Sequence, residues 1–125
     1  MAYKVGSKIN FETIEKASGF FITRTGSLSK DVGIGYLELM DGRDPANNDE
    51  LIELNEGYSC VYLCTKGGVT FSFYGNQEVR RVTLSEEEYV YITPGTKYEI
   101  NGNGKLLSVQ LPAYSSEMFL HPKKQ

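Results

Sequence analysis

The chain contains no tryptophan, one histidine (His121) and two cysteines. A single imidazole cannot build a multi-histidine metal site, nor can it serve a nucleophile and an acid–base partner in different places. No apolar run approaches the roughly 20 residues that a membrane helix needs. Charge of one sign is also missing: 13 basic and 16 acidic residues leave a formal net charge of −3. That balance gives no electrostatic reason to expect nucleic acid or an anionic membrane as partner. No apolar segment follows the charges of Met1 to Gly6, so no secretory leader is expected and a cytoplasmic location is. Cys60 and Cys64 stand four apart. In an extended chain that is about 13 Å at ~3.3 Å per residue, too far for a disulfide, and two free thiols suit a reducing compartment. A zinc half-site of this spacing lacks a second pair to complete it.

What the chain does have is strand signal. Its 125 residues fit one domain, with 40% hydrophobic and 23% charged residues, ordinary values for a soluble fold. Short runs rich in Tyr, Val, Ile, Phe and Thr alternate with turn residues, the mark of a sandwich or barrel. The expected strands are 20–25, 33–40, 51–54, 58–65, 69–74, 79–84, 89–92, 97–100 and 106–111. Residues 10–18 read as one short helix stopped by Gly19. The stretch 41–49 is a polar loop crowded with turn formers. Lys66-Gly67-Gly68 and Asn101-Gly102-Asn103-Gly104 read as turns between strands. The organisation expected is an N-terminal segment over 1–18, which could act as a dimer arm, a barrel over 19–114 and a tail over 115–125. Closure as a jelly roll or barrel would limit exposed strand edges.

Local sequence selects among β folds. The stretch Val61-Tyr62-Leu63-Cys64-Thr65-Lys66-Gly67-Gly68 resembles the first motif of the cupin family where it ends in V-Y-Y-V-L-x-G-x-G. Glu87-Glu88-Tyr89-Val90-Tyr91-Ile92-Thr93-Pro94-Gly95-Thr96-Lys97-Tyr98 resembles the second, G-D-x-x-x-I-P-x-G-x-x-H. The likeness spans roughly residues 50–113 and implies an all-β, single-domain, cupin-type jelly-roll β-barrel. The departures bear on chemistry. Leu54 and Glu56 stand at the two histidine positions of the first motif, Cys60 at its glutamate and Tyr98 at the histidine of the second. Glu87 replaces the motif's glycine, and Thr93 its proline, with Pro94 one place later. A metal site needs several good ligands together, so no metal and no other cofactor is expected.

The residues left to carry function are phenols, thiols and carboxylates. Alternation puts Cys60, Tyr62 and Cys64 on one face, which the resemblance makes the inner one, with Tyr98 joining them. Tyr36 and Glu38 share a face of an earlier strand, and Tyr89 and Tyr91 a face of a later one. Nine tyrosines supply rings with polar tips suited to a sugar or nucleoside pocket, although tyrosine is also a favoured strand residue. The primary expectation is metal-independent binding of a small, polar, sugar-like metabolite, with Tyr36, Glu56, Cys60, Cys64 and Tyr91 lining the site. The alternative is a metal-free lyase or isomerase of a sugar, nucleoside or carbonyl substrate. Tyr62, Tyr98 and Glu38 would then transfer protons, with Lys97 nearby. Small cupins implied by the resemblance include a dehydratase of nucleoside-antibiotic assembly, and residues 107–114 look similar to the end of its barrel. A third reading is a structural module that works as a homodimer.

Overall fold

The computed structural model describes residues 12–17, 20–24, 30–40, 51–115 and 117–120, the first two stretches as backbone only. They form nine strands: β1 (Glu12–Ala17), β2 (Phe20–Arg24), β3 (Gly33–Leu39), β4 (Ile52–Leu54), β5 (Ser59–Tyr74), β6 (Val79–Leu84), β7 (Tyr89–Ile92), β8 (Lys97–Leu111) and β9 (Phe119–Leu120). All pairings are antiparallel. The expected helix over 10–18 is therefore corrected: its described part is β1, paired with β2 from Glu12↔Arg24 to Ala17↔Phe20. A short stretch bearing β-branched Thr13 and Ile14 gains more from a neighbouring ladder than from an isolated helix of marginal length. The polar loop 41–49 and His121 lie outside the described residues. No helix is long and apolar enough to cross a membrane among the described residues.

β5 and β8 organise the molecule. They pair continuously from Ser59↔Leu111 to Tyr74↔Lys97, with one register shift between Cys64 and Lys66. Their first and last halves belong to different walls. One wall is β1–β2–β3–β8–β5–β7; in the other, β6, the far half of β5, the near half of β8, β4 and β9 follow one another. The walls curve into a barrel-like cup whose sheet does not close on itself.

The turns expected at 66–68 and 101–104 are replaced by a shared bend. Gly67 lies opposite Gly104, Gly68 opposite Asn103, and Val69 opposite Gly102. Strands that pass from one sheet to the other do so through bulges and glycines. Here the backbones approach so closely that a Cβ on Gly67 would lie 2.2 Å from the Asn103 carbonyl oxygen, and one on Gly104 2.4 Å from that of Lys66.

Alternation then sorts the side chains. Leu37 and Leu39 of β3, Leu106 of β8 and Ile92 of β7 face inward from one wall; Val69, Phe71, Ile100, Leu84 and Leu54 face them from the other. Each such side chain contributes roughly 1.5–3 kcal/mol on burial. Met118, fully buried, accepts a backbone bond at its carbonyl from Asn55 N at 2.9 Å. Strand β9 thus ties residues from the expected tail onto β4.

Candidate ligand site at the barrel floor

Tyr62 and Tyr98 reach the interior from opposite walls. Tyr62 sits on β5 beside Ser108 of β8, and Tyr98 sits on β8 between Phe73 and Ile52. Their hydroxyls meet at 2.7 Å, and both rings are buried, at 2% and 0% exposure. The rings are edge-on, with centroids 6.1 Å apart. Phe71 packs against both, at 5.3 Å from Tyr62 and 6.2 Å from Tyr98, and Phe73 stacks on Phe71. The turn before Tyr98 holds it in place. Thr93-Pro94-Gly95-Thr96 closes with Thr96 N donating to Thr93 O, and Gly95 has φ +82°, as a turn with Pro then Gly at its centre requires.

Cys60, fully buried, completes the cluster, near enough for both phenols to bear on its thiol. Burial pushes that thiol up to about 11, only partly offset by the two hydroxyls. Burial also lifts both phenols well above their ordinary value, and each would be a second negative charge beside the other groups of the cluster. At neutral pH all three groups hold their protons.

Two residues that the sequence reading passed over extend this patch. Ser108 and Gln110 are buried on the inward face of β8, with Gln110 Nε2 donating to Ser108 Oγ at 3.0 Å. Ser108 is level with Tyr62 and Gln110 with Cys60. On the other flank they face Gly35 and Gly33. The Gln110 carboxamide fills the place of a Gly33 side chain: a Cβ there would meet Oε1 at 2.5 Å. The signal available in sequence was the alternation Leu106, Ser108, Gln110, which sets polar groups on an apolar face.

The other candidate residues lie elsewhere. Tyr36 and Glu38 alternate with buried Leu37 and Leu39, so they sit on the outer surface. Glu38 lines an open cleft of about 560 Å³ outside the bend, with Lys66, Glu86, Asn103 and Lys105. Tyr91 is on the outer face of β7, 53% exposed. Glu56 is exposed in the turn between β4 and β5, its carboxylate over Gly95. Cys64 is buried but at the bend, its thiol directed at the Lys66 and Gly67 carbonyls. Of the eight candidates, Cys60, Tyr62 and Tyr98 come together.

The four motif positions do not suit a metal. Leu54 has no donor and is fully buried, and Glu56 faces solvent, which leaves one thiol and one phenol where a metal site needs several good ligands together. Among the described residues no group of three or more His, Cys, Asp or Glu side chains could hold an ion.

Fold and register together define a cupin-type jelly roll, and solved structures agree. Streptomyces PAC13, solved as a tyrosine-to-phenylalanine variant with uridine, matches with a TM-score of 0.78 at 15% identity over 98% of this chain and 93% of that one. A second structure of Pac13, described as a unique nucleoside dehydratase, gives a TM-score of 0.76 at 16% identity, covering 98% and 92%. Bacillus subtilis oxalate decarboxylase gives 0.70 at 12% identity over 93% of this chain and 31% of that one. At these identities the likeness establishes the fold. No protein-family profile matches the chain, and no curated protein matches it in sequence.

Proposed function

We propose that the barrel binds a small polar metabolite with a sugar-like or nucleoside-like hydroxylated part, without a metal. The observation that carries this reading is the Tyr62–Tyr98 hydroxyl pair, 2.7 Å apart across the interior. It lies beside the Cys60 thiol and level with Ser108 and Gln110. Such a cluster offers donors and acceptors in an apolar surround, where an unmatched hydroxyl would be expensive to bury. Two free, buried thiols fit a reducing compartment such as the cytoplasm.

Dehydration of a nucleoside is the second reading, favoured by the likeness to Pac13. Removing water needs a base for the carbon-bound proton and an acid for the departing hydroxyl. Tyr62, Tyr98 and Cys60 keep their protons at neutral pH and so supply the acid. Among the described inward-facing groups none supplies the base. Binding therefore ranks first.

Thermal shift with uridine, other nucleosides and simple sugars tests the proposal. A true ligand at a hundred times its Kd stabilises the fold by about 2.7 kcal/mol. Tyr98→Phe is expected to remove that shift, and Glu38→Gln, on the outer surface, to leave it intact. A ligand shift that survives Tyr98→Phe and Tyr62→Phe would refute the site. Loss of one water from the nucleoside in the same mixtures, read by mass spectrometry, would promote the second reading over the first.

A further inference from the structure

Each wall of the cup turns apolar side chains inward, as a sheet packed on a core does. Strand β6 breaks this rule once. Register sets Leu84 opposite Val69, Val82 opposite Phe71 and Arg80 opposite Phe73, so all three stand on the interior side of the sheet. Among the described residues of β3 to β9, Arg80 is the one charged side chain at an inward position. Its row continues across the second wall as Phe73, Tyr98 and Ile52. Exposure rises along that row, from Tyr98 at 0% through a half-buried Phe73 to an Arg80 side chain at 77%. The inner face of β6 opens in the same direction, from buried Leu84 to exposed Val82. The row thus leads from the paired hydroxyls of the floor to open water.

We infer that the metabolite held at the floor carries a phosphate group, and that Arg80 receives it at the mouth of the cup. This rests on the binding proposed above and narrows its ligand to phosphorylated sugars and nucleosides. With strands about 4.8 Å apart, the Arg80 and Tyr98 backbones stand about 10 Å apart along the row. A pentose or hexose with one phosphate suits that span, its ring beside Phe73, one hydroxyl at Tyr98 and its phosphate at the guanidinium. The division also suits the costs of burial. Neutral hydroxyls enter the apolar interior where partners await them, while the phosphate stays at the solvated rim and keeps much of its hydration. A guanidinium grips phosphate through two parallel N–H···O bonds. Arg80 now pairs with Glu78, Nε to Oε1 at 3.1 Å, with both side chains largely exposed; such a pair contributes little and gives way to a better anion. Arg81 and Lys97 cannot take its place, because register puts both on the outer face. An inward charge on an edge strand can serve solely to stop sheets joining edge to edge. The two roles differ in what a substitution does to ligand choice.

Calorimetric titration of the full chain compares uridine with uridine 5′-monophosphate, and ribose with ribose 5-phosphate. The phosphorylated member of at least one pair is expected to bind about tenfold more tightly or better. Arg80→Gln should bring the two members of that pair to nearly equal affinity and leave the Kd of the neutral one unchanged. Arg81→Gln removes the same charge from the opposite face of β6 and should leave the preference intact. Glu78→Gln, which frees the guanidinium, should enlarge it. Inorganic phosphate alone is expected to bind far more weakly than ribose 5-phosphate, since it reaches none of the floor hydroxyls. If the neutral members bind and phosphate adds nothing, or if the preference survives Arg80→Gln, the inference falls while the binding reading stands, and Arg80 is the guard of an edge strand. Inorganic phosphate binding as tightly as ribose 5-phosphate would overturn it too, leaving only an anion contact at the surface. Binding by neither member of either pair would remove this inference together with the proposal it rests on.

Discussion

Two stretches of the β5–β8 ladder are built on opposite rules. At the bend, Gly67 and Gly104 let backbone touch backbone, and the atoms that exclude a side chain are carbonyl oxygens. At the floor, Tyr62 and Tyr98 are held by a hydroxyl contact between side chains, with the Cys60 thiol buried beside them. Backbone cannot swing aside, whereas side chains can be exchanged for others of similar shape at the cost of a hydrogen bond. The shape of the cup and the chemistry of its interior can therefore diverge separately. A TM-score of 0.78 at 15% identity is what such a division would leave.

The bend should show the larger effect. Gly104→Val would drive a Cβ to 2.4 Å from the Lys66 carbonyl oxygen and 3.2 Å from Gly68 N. Overpacking of side chains costs about 1–3 kcal/mol, and a clash with backbone exceeds that. We expect a loss of at least about 4 kcal/mol, the range reserved for named structural failures, much of the stability of a small domain. Gly75→Ala is the matched control, since its Cβ would meet nothing nearer than 3.6 Å; a change below about 1 kcal/mol is expected there. Urea unfolding measures both. Equal effects at the two glycines would abolish the distinction between bend and ordinary turn.

The floor should respond to pH instead. Cys60 is raised from 9.0 to about 11 in the folded chain, so above pH 9 the unfolded chain releases a proton that the folded one still holds. Stability is then intact below pH 9 and falls as pH climbs towards 11, by roughly 2–3 kcal/mol for this group. Tyr62 and Tyr98, lifted above 10.0 by burial, steepen the fall in its upper part. Urea midpoints at pH 7, 9, 10 and 11 read the slope. Cys60→Ala should flatten it between pH 9 and 10. An unchanged slope in that variant would mean that the thiol is not held protonated by its surroundings.

How far these features could be read beforehand depended on the range of the interaction. Strand spans and the Pro94-Gly95 turn were legible because they are written in neighbouring residues. The meeting of Cys60 with Tyr98 was legible through the motif, which carries long-range register. The bend was not. Gly67-Gly68 and Gly102-Asn103-Gly104 look locally like two hairpin turns, and only their pairing with each other turns them into one flexure. Glu38 illustrates a third limit: alternation assigned it a face shared with Tyr36, but which face points inward is settled by Leu37 and Leu39 packing on the other strands. Ser108 and Gln110 were hidden for the converse reason, since polar residues late in a strand read as solvent-facing until β5 and β3 flank them.

One further substitution extends the backbone rule to the turn beside the bend, with the smallest effect. Glu87 has φ +71° and donates its N–H to the Cys64 carbonyl at 2.8 Å. It occupies the position where the related motif carries glycine. An L-residue held in this left-handed region pays about 1–2 kcal/mol, while glycine gives back part of that through the freedom it adds to the unfolded chain. Glu87→Gly is therefore expected to stabilise the fold by about 0.5–1 kcal/mol, and Glu87→Ala, which keeps the Cβ, to give no gain. Thermal and urea unfolding would resolve the pair. Equal responses to glycine and alanine would place the energetics of this turn in the glutamate side chain, and would confine the rule of backbone against backbone to the bend itself.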